Sequence, residues 1–138
     1  MTSTTDVAAR LAVGKRLYQA LGAGDVAVLR DVLADDFQGH LSAGLPHGFG
    51  QRTYDGREQM LSEGWGAVGG YFDMSPQVEE LLVAEDYLIG RGNYVGTATS
   101  TGKTVKAAFA HFWRFDGDKI VSVRQVTDSA LWQQALQP

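Results

Sequence analysis

Of the three histidines in this chain, His111 stands in the most telling surroundings. In the run Phe109-Ala110-His111-Phe112-Trp113-Arg114-Phe115, period-two alternation puts Phe109, His111, Trp113 and Phe115 on one strand face. Lys106, Ala108, Ala110, Phe112 and Arg114 fall on the other. An imidazole in an apolar row is either an acid, base or oxyanion donor for a guest held there, or a core histidine satisfied by a neighbouring group. Arg91 lies mid-strand among apolar residues, where it either points into a pocket as an electrostatic anchor or pairs with a surface acid. Asn93 and Gln125 are amides suited to hydrogen bonding in such a pocket or to completing strand pairing. His40 follows a short extended run at the expected pocket mouth, and His47, between Pro46 and Gly48, has weaker surroundings. Asp128 stands immediately before Ser129-Ala130-Leu131, as a helix N-cap would. Tyr18, Trp65, Tyr94 and Trp113 are first of all core aromatics, with any ligand contact secondary to packing.

These residues need a scaffold, and the bulk properties describe one. A chain of 138 residues with 44% hydrophobic and 10% aromatic content can bury one sizeable core, so a single domain over 1–138 is expected. The formal net charge of −4 offers no basic face for a phosphate backbone, which argues against nucleic acid. No apolar run is long enough to span a bilayer and no signal-peptide pattern opens the chain; the expectation is a cytoplasmic protein without a membrane partner. With no cysteine, disulfides, thiolate metal sites and cysteine nucleophiles are excluded. The Gly48 to Gly50 region has neither the lysine nor the strand-to-helix frame of a phosphate loop.

The positioning elements can be read in order. Val7, Leu11, Leu17, Tyr18 and Leu21 recur at helical spacing from Thr5 until Gly22 to Gly24 interrupt them. Asp25 then caps a short second helix through Val28, Leu29, Val32 and Leu33. Phe37 to Leu41 reads as a short strand before a glycine-rich loop. The spacing of Asp55 and Glu58 predicts a capping box opening a third helix with Met60, Leu61, Trp65 and Val68 on its apolar face. After Pro76, four extended runs follow: Val78 to Leu82, Tyr87 to Thr97, Thr104 to Phe115 and Ile120 to Val126. The separators around Gly102 and Gly117 carry hairpin signals. A final helical turn over Ser129 to Leu136 covers an edge. Helices first and an antiparallel meander afterwards predict an α+β fold.

Four stretches carry a family resemblance: Ala23-Gly24-Asp25 with Leu33-Ala34-Asp35-Asp36-Phe37, Tyr54-Asp55-Gly56-Arg57-Glu58, Phe109 to Gly117, and Lys119-Ile120-Val121 through Asp128. In this order and spacing the chain resembles the nuclear transport factor 2-like superfamily, in its SnoaL-like and ketosteroid-isomerase-like branch, over nearly its whole length. The resemblance implies a cone-shaped, curved antiparallel sheet with three N-terminal helices enclosing a pocket, no metal or cofactor, a small-molecule partner, and a homodimer formed through the open sheet face.

The chemistries that the resemblance suggests can be tested residue by residue. Against ketosteroid isomerases, His111 falls where an oxyanion aspartate stands and Leu17 where the tyrosine stands, with Tyr18 one residue away. The base position falls near His40 or Leu41, where there is no carboxylate. Against limonene epoxide hydrolases, Arg91-Gly92-Asn93 and Gln125 hold amides where two acids are required, and an amide cannot accept the proton. Against SnoaL-like polyketide cyclases, His111 and Asp128 match the residues serving an aldol closure, although alternation turns Asp128 away from the face of Val123 and Gln125. The leading expectation is therefore a cofactor-independent isomerase or cyclase for a carbonyl-bearing, polyketide- or terpenoid-like substrate. His111, Arg91 and Asp128 are its catalytic candidates, and Tyr18, His40, Trp65, Asn93, Phe109, Trp113 and Gln125 its binding candidates. The alternatives are a binding module that carries an apolar ligand without chemistry, and a structural subunit dimerising through its sheet.

Overall fold

The computed structural model describes residues 4–138, with side chains from residue 6 onward. Helix α1 spans Thr4–Ala23 and lies along the strand Phe72–Ala84, burying Leu17, Tyr18 and Ala20. Gly24, in the left-handed region at φ 67°, ends it, and Asp25 caps α2 (Val26–Val32) by accepting a hydrogen bond from the Val28 N–H at 3.2 Å. Leu29 and Val32 are the buried face of that short helix.

Strand β1 (Leu33–His40) begins earlier than its composition suggests. The acidic pair Asp35-Asp36 is exposed there, and Arg57 holds Asp35 at 2.9 Å, so the charges do not prevent an extended conformation. A short strand β2 (Thr53–Asp55), absent from the sequence reading, pairs antiparallel with β1. The third helical stretch, α3, covers 57–68. It is α-helical over Arg57–Gln59, widens to a π-helix over Met60–Trp65 and returns to α over Gly66–Val68. The expected capping box does not form. Glu58 turns to Arg30 instead, at 2.8 Å, while the Asp55 N–H donates to Gln59 Oε1 at 2.6 Å.

Four long strands complete the sheet: β3 (Phe72–Ala84), β4 (Tyr87–Ala98), β5 (Thr104–Asp116) and β6 (Lys119–Thr127). Pro76 does not delay β3, because β3 is an edge strand and loses no ladder bond on its open side. The sheet order is β2-β1-β6-β5-β4-β3. All neighbours are antiparallel except β1 and β6, which run parallel; the all-antiparallel expectation is corrected at that one junction. Helix α4 (Ser129–Leu136) closes the chain, burying Trp132 and Ala135. The core lies between the concave sheet face and the helices, and is continuous from Leu17 through Phe37, Met60, Leu88 and Trp113 to Trp132. Among the described residues no helix is long and apolar enough to cross a membrane.

Candidate functional site

Alternation along β5 delivers Phe109, His111, Trp113 and Phe115 to the concave face, all buried, as the sequence predicts. The β4–β5 register sets Gly90 opposite His111 and Gly92 opposite Phe109. Gly90 leaves room that another side chain enters, whereas a Cβ at Gly92 would meet the β3 backbone at Gln77. From α1, Tyr18 reaches across so closely that a Cβ at Gly90 would collide with its hydroxyl. Its oxygen shares a hydrogen bond with His111 Nδ1 at 2.7 Å. From β4 itself, Tyr94 shares one with His111 Nε2 at 2.6 Å. The imidazole is thus held at both nitrogens by phenols.

Each phenol is anchored in turn. Trp113 Nε1–H donates to the Tyr18 oxygen at 3.0 Å. Gln125, on the concave face of β6 and only 6% exposed, donates through Nε2 to the Tyr94 oxygen at 2.8 Å. Its Oε1 accepts from the backbone N–H of Ser42 at 3.0 Å. Because a backbone N–H can only donate, that contact fixes which end of the amide faces Tyr94. No buried side-chain nitrogen or oxygen among the described residues is left without a partner.

Burial governs the electrostatics. It lowers the His111 pKa to about 3, so the ring is neutral at physiological pH. Burial likewise pushes both phenols above their ordinary range, with the Trp113 bond to Tyr18 and the Gln125 bond to Tyr94 acting in the opposite sense. The result is a chain of uncharged hydroxyl, imidazole and amide groups. Such a chain can donate or accept hydrogen bonds and pass a proton along itself, but it is a weak base.

A cavity of about 120 Å³ opens beside this chain. His111, Tyr94, Trp113 and Gln125 form its polar floor; Leu21, Trp65 and Val68 close it from the helices; Leu41 and Leu45 from the loop after β1; Phe72, Met74 and Pro76 from the edge strand. Trp132 of α4 supports the floor, its ring 5.0 Å from that of Tyr94. Space of this size accommodates about one ring, with the open mouth leaving room for the remainder of a larger guest.

Of the predicted residues, His111, Trp65, Trp113 and Gln125 meet at this cavity. Tyr18 and Phe109 lie behind it, backing the imidazole, with the Phe109 ring stacked at 4.3 Å. Tyr18, one residue from the position aligned with the isomerase tyrosine, therefore reaches His111 from its own place on α1. Arg91 is corrected. It is exposed on the convex face, held by Glu80 at 2.7 Å and Glu79 at 3.3 Å. Asn93 accompanies it there, bonded to Glu79 at 2.9 Å, so the Arg91, Asn93 and Gln125 set is split across two faces of the sheet. Asp128 is also corrected. It is exposed at the end of β6, in the N-cap position of α4 but without a side-chain capping bond. His40 points to the convex side, beside Arg124 and Ser122, because Phe37 and Gly39 occupy the concave positions of β1. His47 stands outside the cavity at φ 59°, its ring stacked on Tyr71 at 3.9 Å.

Tyr94, which lines the cavity and bonds His111, reads from the sequence only as a core aromatic. Its signal was present: it shares parity with Gly90, the position opposite His111 whose missing side chain opens the histidine face.

Comparisons with known proteins agree with this architecture. The family model for the SnoaL-like domain matches residues 15–123. An NTF2-like protein of Burkholderia thailandensis E264 is 31% identical, covers 92% of this chain and 96% of its own, and superposes with a TM-score of 0.82. IdmH of Streptomyces antibioticus, assigned provisionally as a polyketide cyclase, is 24% identical over 91% of this chain and 96% of its own, with a TM-score of 0.74. TerC, co-crystallised with polyporic acid, is 17% identical over 92% of this chain and 97% of its own, with a TM-score of 0.82. A search of curated proteins finds no match. The matched span, the curved six-stranded sheet and the helices over its concave face together establish that the chain belongs to the SnoaL-like domain family of the nuclear transport factor 2-like superfamily.

Proposed function

We propose that this chain is an isomerase or cyclase of small-molecule, secondary metabolism that acts on a carbonyl-bearing, polyketide- or terpenoid-like substrate. The observation that carries the reading is a neutral histidine clasped by two tyrosines on the floor of an otherwise apolar cavity. The provisional assignment of IdmH as a polyketide cyclase, and the polyporic acid with which TerC was co-crystallised, support a small organic substrate within this fold. Among the described residues no carboxylate, lysine or arginine side chain lines the cavity, and His111 is a weak base. A substrate suited to such a site brings its own acidity, as a carbon between two carbonyls does, and the protein lowers the barrier by hydrogen-bonding the enolate oxygen and excluding water. The acidic carbon gives its proton to water as the substrate enters. In an isomerisation water returns a proton to another carbon; in an aldol closure the enolate carbon attacks a second carbonyl, the new alkoxide takes up a proton, and its hydroxyl can then leave with a neighbouring hydrogen as water.

The same absence of a charged acid–base residue favours a second reading, a module that binds such a molecule without converting it. Liquid chromatography with mass spectrometry of a panel of aromatic β-dicarbonyl compounds separates the two, because an isomer differs from its parent in retention even where their masses agree. Products equal in mass to the substrate or lighter by one water, formed by the wild type and suppressed in His111→Gln, support the enzyme. Tight binding with unchanged compounds identifies the binding module. For the assembly we propose a homodimer through the convex face, where Phe112 and Val126 are 36% and 53% exposed.

A further inference from the structure

The hydrogen bonds around His111 dictate where one particular proton must go. Tyr18 and Tyr94 each already accept a bond, from Trp113 Nε1–H and from Gln125 Nε2–H. A neutral imidazole carries one N–H, so it donates to one tyrosine and accepts from the other. The two assignments are not equivalent, because the two hydroxyls have different surroundings. Tyr18 does not border the cavity and has no third partner among the described residues, whereas Tyr94 borders it.

Were Nδ1 to carry the hydrogen, Tyr18 would accept twice and its own hydroxyl hydrogen would be buried with no acceptor, a costly arrangement. With the hydrogen on Nε2, Tyr18 donates to Nδ1 and every group behind the cavity is satisfied. Tyr94 then accepts from both Nε2–H and Gln125, and its remaining hydrogen can only be donated into the cavity. Two incoming donors polarise that hydroxyl and strengthen it as a donor.

We propose that Tyr94 is the group that touches substrate, donating its hydroxyl hydrogen to an acceptor oxygen of the carbonyl, enolate or phenolate class, and that His111, as the Nε2–H tautomer, and Gln125 are positioning residues that aim it. This rests on the proposed function above but narrows it. The site selects a guest oxygen that accepts, and rejects one that can only be matched by a second acceptor. The arrangement also assigns the roles along the chain in order: Trp113 orients Tyr18, Tyr18 sets the tautomer, and the tautomer frees the Tyr94 proton.

Two measurements test it. Long-range proton–nitrogen NMR of the uniformly nitrogen-15-labelled wild type reads the tautomer directly, without any ligand. The expected result is a protonated Nε2 and an unprotonated Nδ1, in excess of about tenfold; a protonated Nδ1 or an imidazolium overturns the inference while leaving the proposed function standing. The second uses 4-nitrophenol above its own pKa, followed by its absorption band, against the uncharged 4-nitrotoluene. Tyr94→Phe is expected to weaken the phenolate by about tenfold to a hundredfold and leave the toluene unchanged. Equal phenolate affinity in the wild type and Tyr94→Phe overturns the assignment of Tyr94 alone. Failure of both probes to bind the wild type overturns the assignment and the substrate pocket together.

Discussion

Gly90 stands directly across the β4–β5 ladder from His111, and its missing side chain is what admits the Tyr18 hydroxyl to the imidazole. A glycine in a strand interior is ordinarily a weakness. Here it is the condition for a helix residue to complete a site on the sheet. Gly90→Ala should therefore cost about 1–3 kcal/mol by overpacking, although alanine is the better strand residue. Denaturant unfolding measures this, and a variant as stable as the parent would contradict the contact.

Acid should destabilise the fold through His111. The folded chain takes up no proton on this ring until about pH 3, whereas an unfolded chain takes one near 6.5. The unfolded state binds more protons between those values, so this contribution is complete above 6.5 and declines as pH falls toward 3. The slope is at most about 1.4 kcal/mol per pH unit. Unfolding of the wild type and His111→Gln across that range should give a flatter profile for the variant, and parallel profiles would refute the assignment.

Removing Gln125 should unpair two groups at once. Gln125→Leu leaves the Ser42 N–H and the second acceptor site of Tyr94 without their partner. A loss of about 1–3 kcal/mol is expected, read as a lowered thermal midpoint. An unchanged midpoint would show that water replaces the amide without cost.

Arg91→Ala and Asp128→Asn should leave the cavity and its ligand affinity as they are. Both side chains are exposed and outside the cavity lining, and the Arg91 ion pairs are of the kind that contribute little. Stability changes within about 0.5 kcal/mol are expected for each. A large loss of probe binding in either variant would mean that the residue reaches the guest by another route.

The convex face offers a test of assembly. Light scattering should give a dimer for the wild type and a monomer for the double variant Phe112→Lys with Val126→Lys, since two added charges on each copy would face their counterparts. A monomeric wild type would remove the dimer proposal.

The sequence by itself determined the order of the helices and the long strands, though not the short β2, together with the N-cap at Asp25, the hairpins at Gly102 and Gly117, and the facing of Phe109, His111 and Trp113. These follow from local rules, helical spacing, strand parity and turn chemistry, which neighbouring residues satisfy among themselves. Only the tertiary structure decided the facing of Arg91. On β4 the inner row is broken by Gly90 and Gly92 between Leu88 and Tyr94, while Ile89 and Val95 make the outer row look equally apolar, so the hydrophobic pattern did not mark Arg91 as outer. Nor could any local rule bring Tyr18 to His111, 93 residues apart, or Gln125 to Ser42, 83 apart. Those contacts exist because α1 is laid across a sheet that glycine leaves hollow, and because β1 and β6 run side by side. The partners of the histidine, and with them its charge and the direction of its hydrogen bonds, were settled by packing between distant parts of the chain.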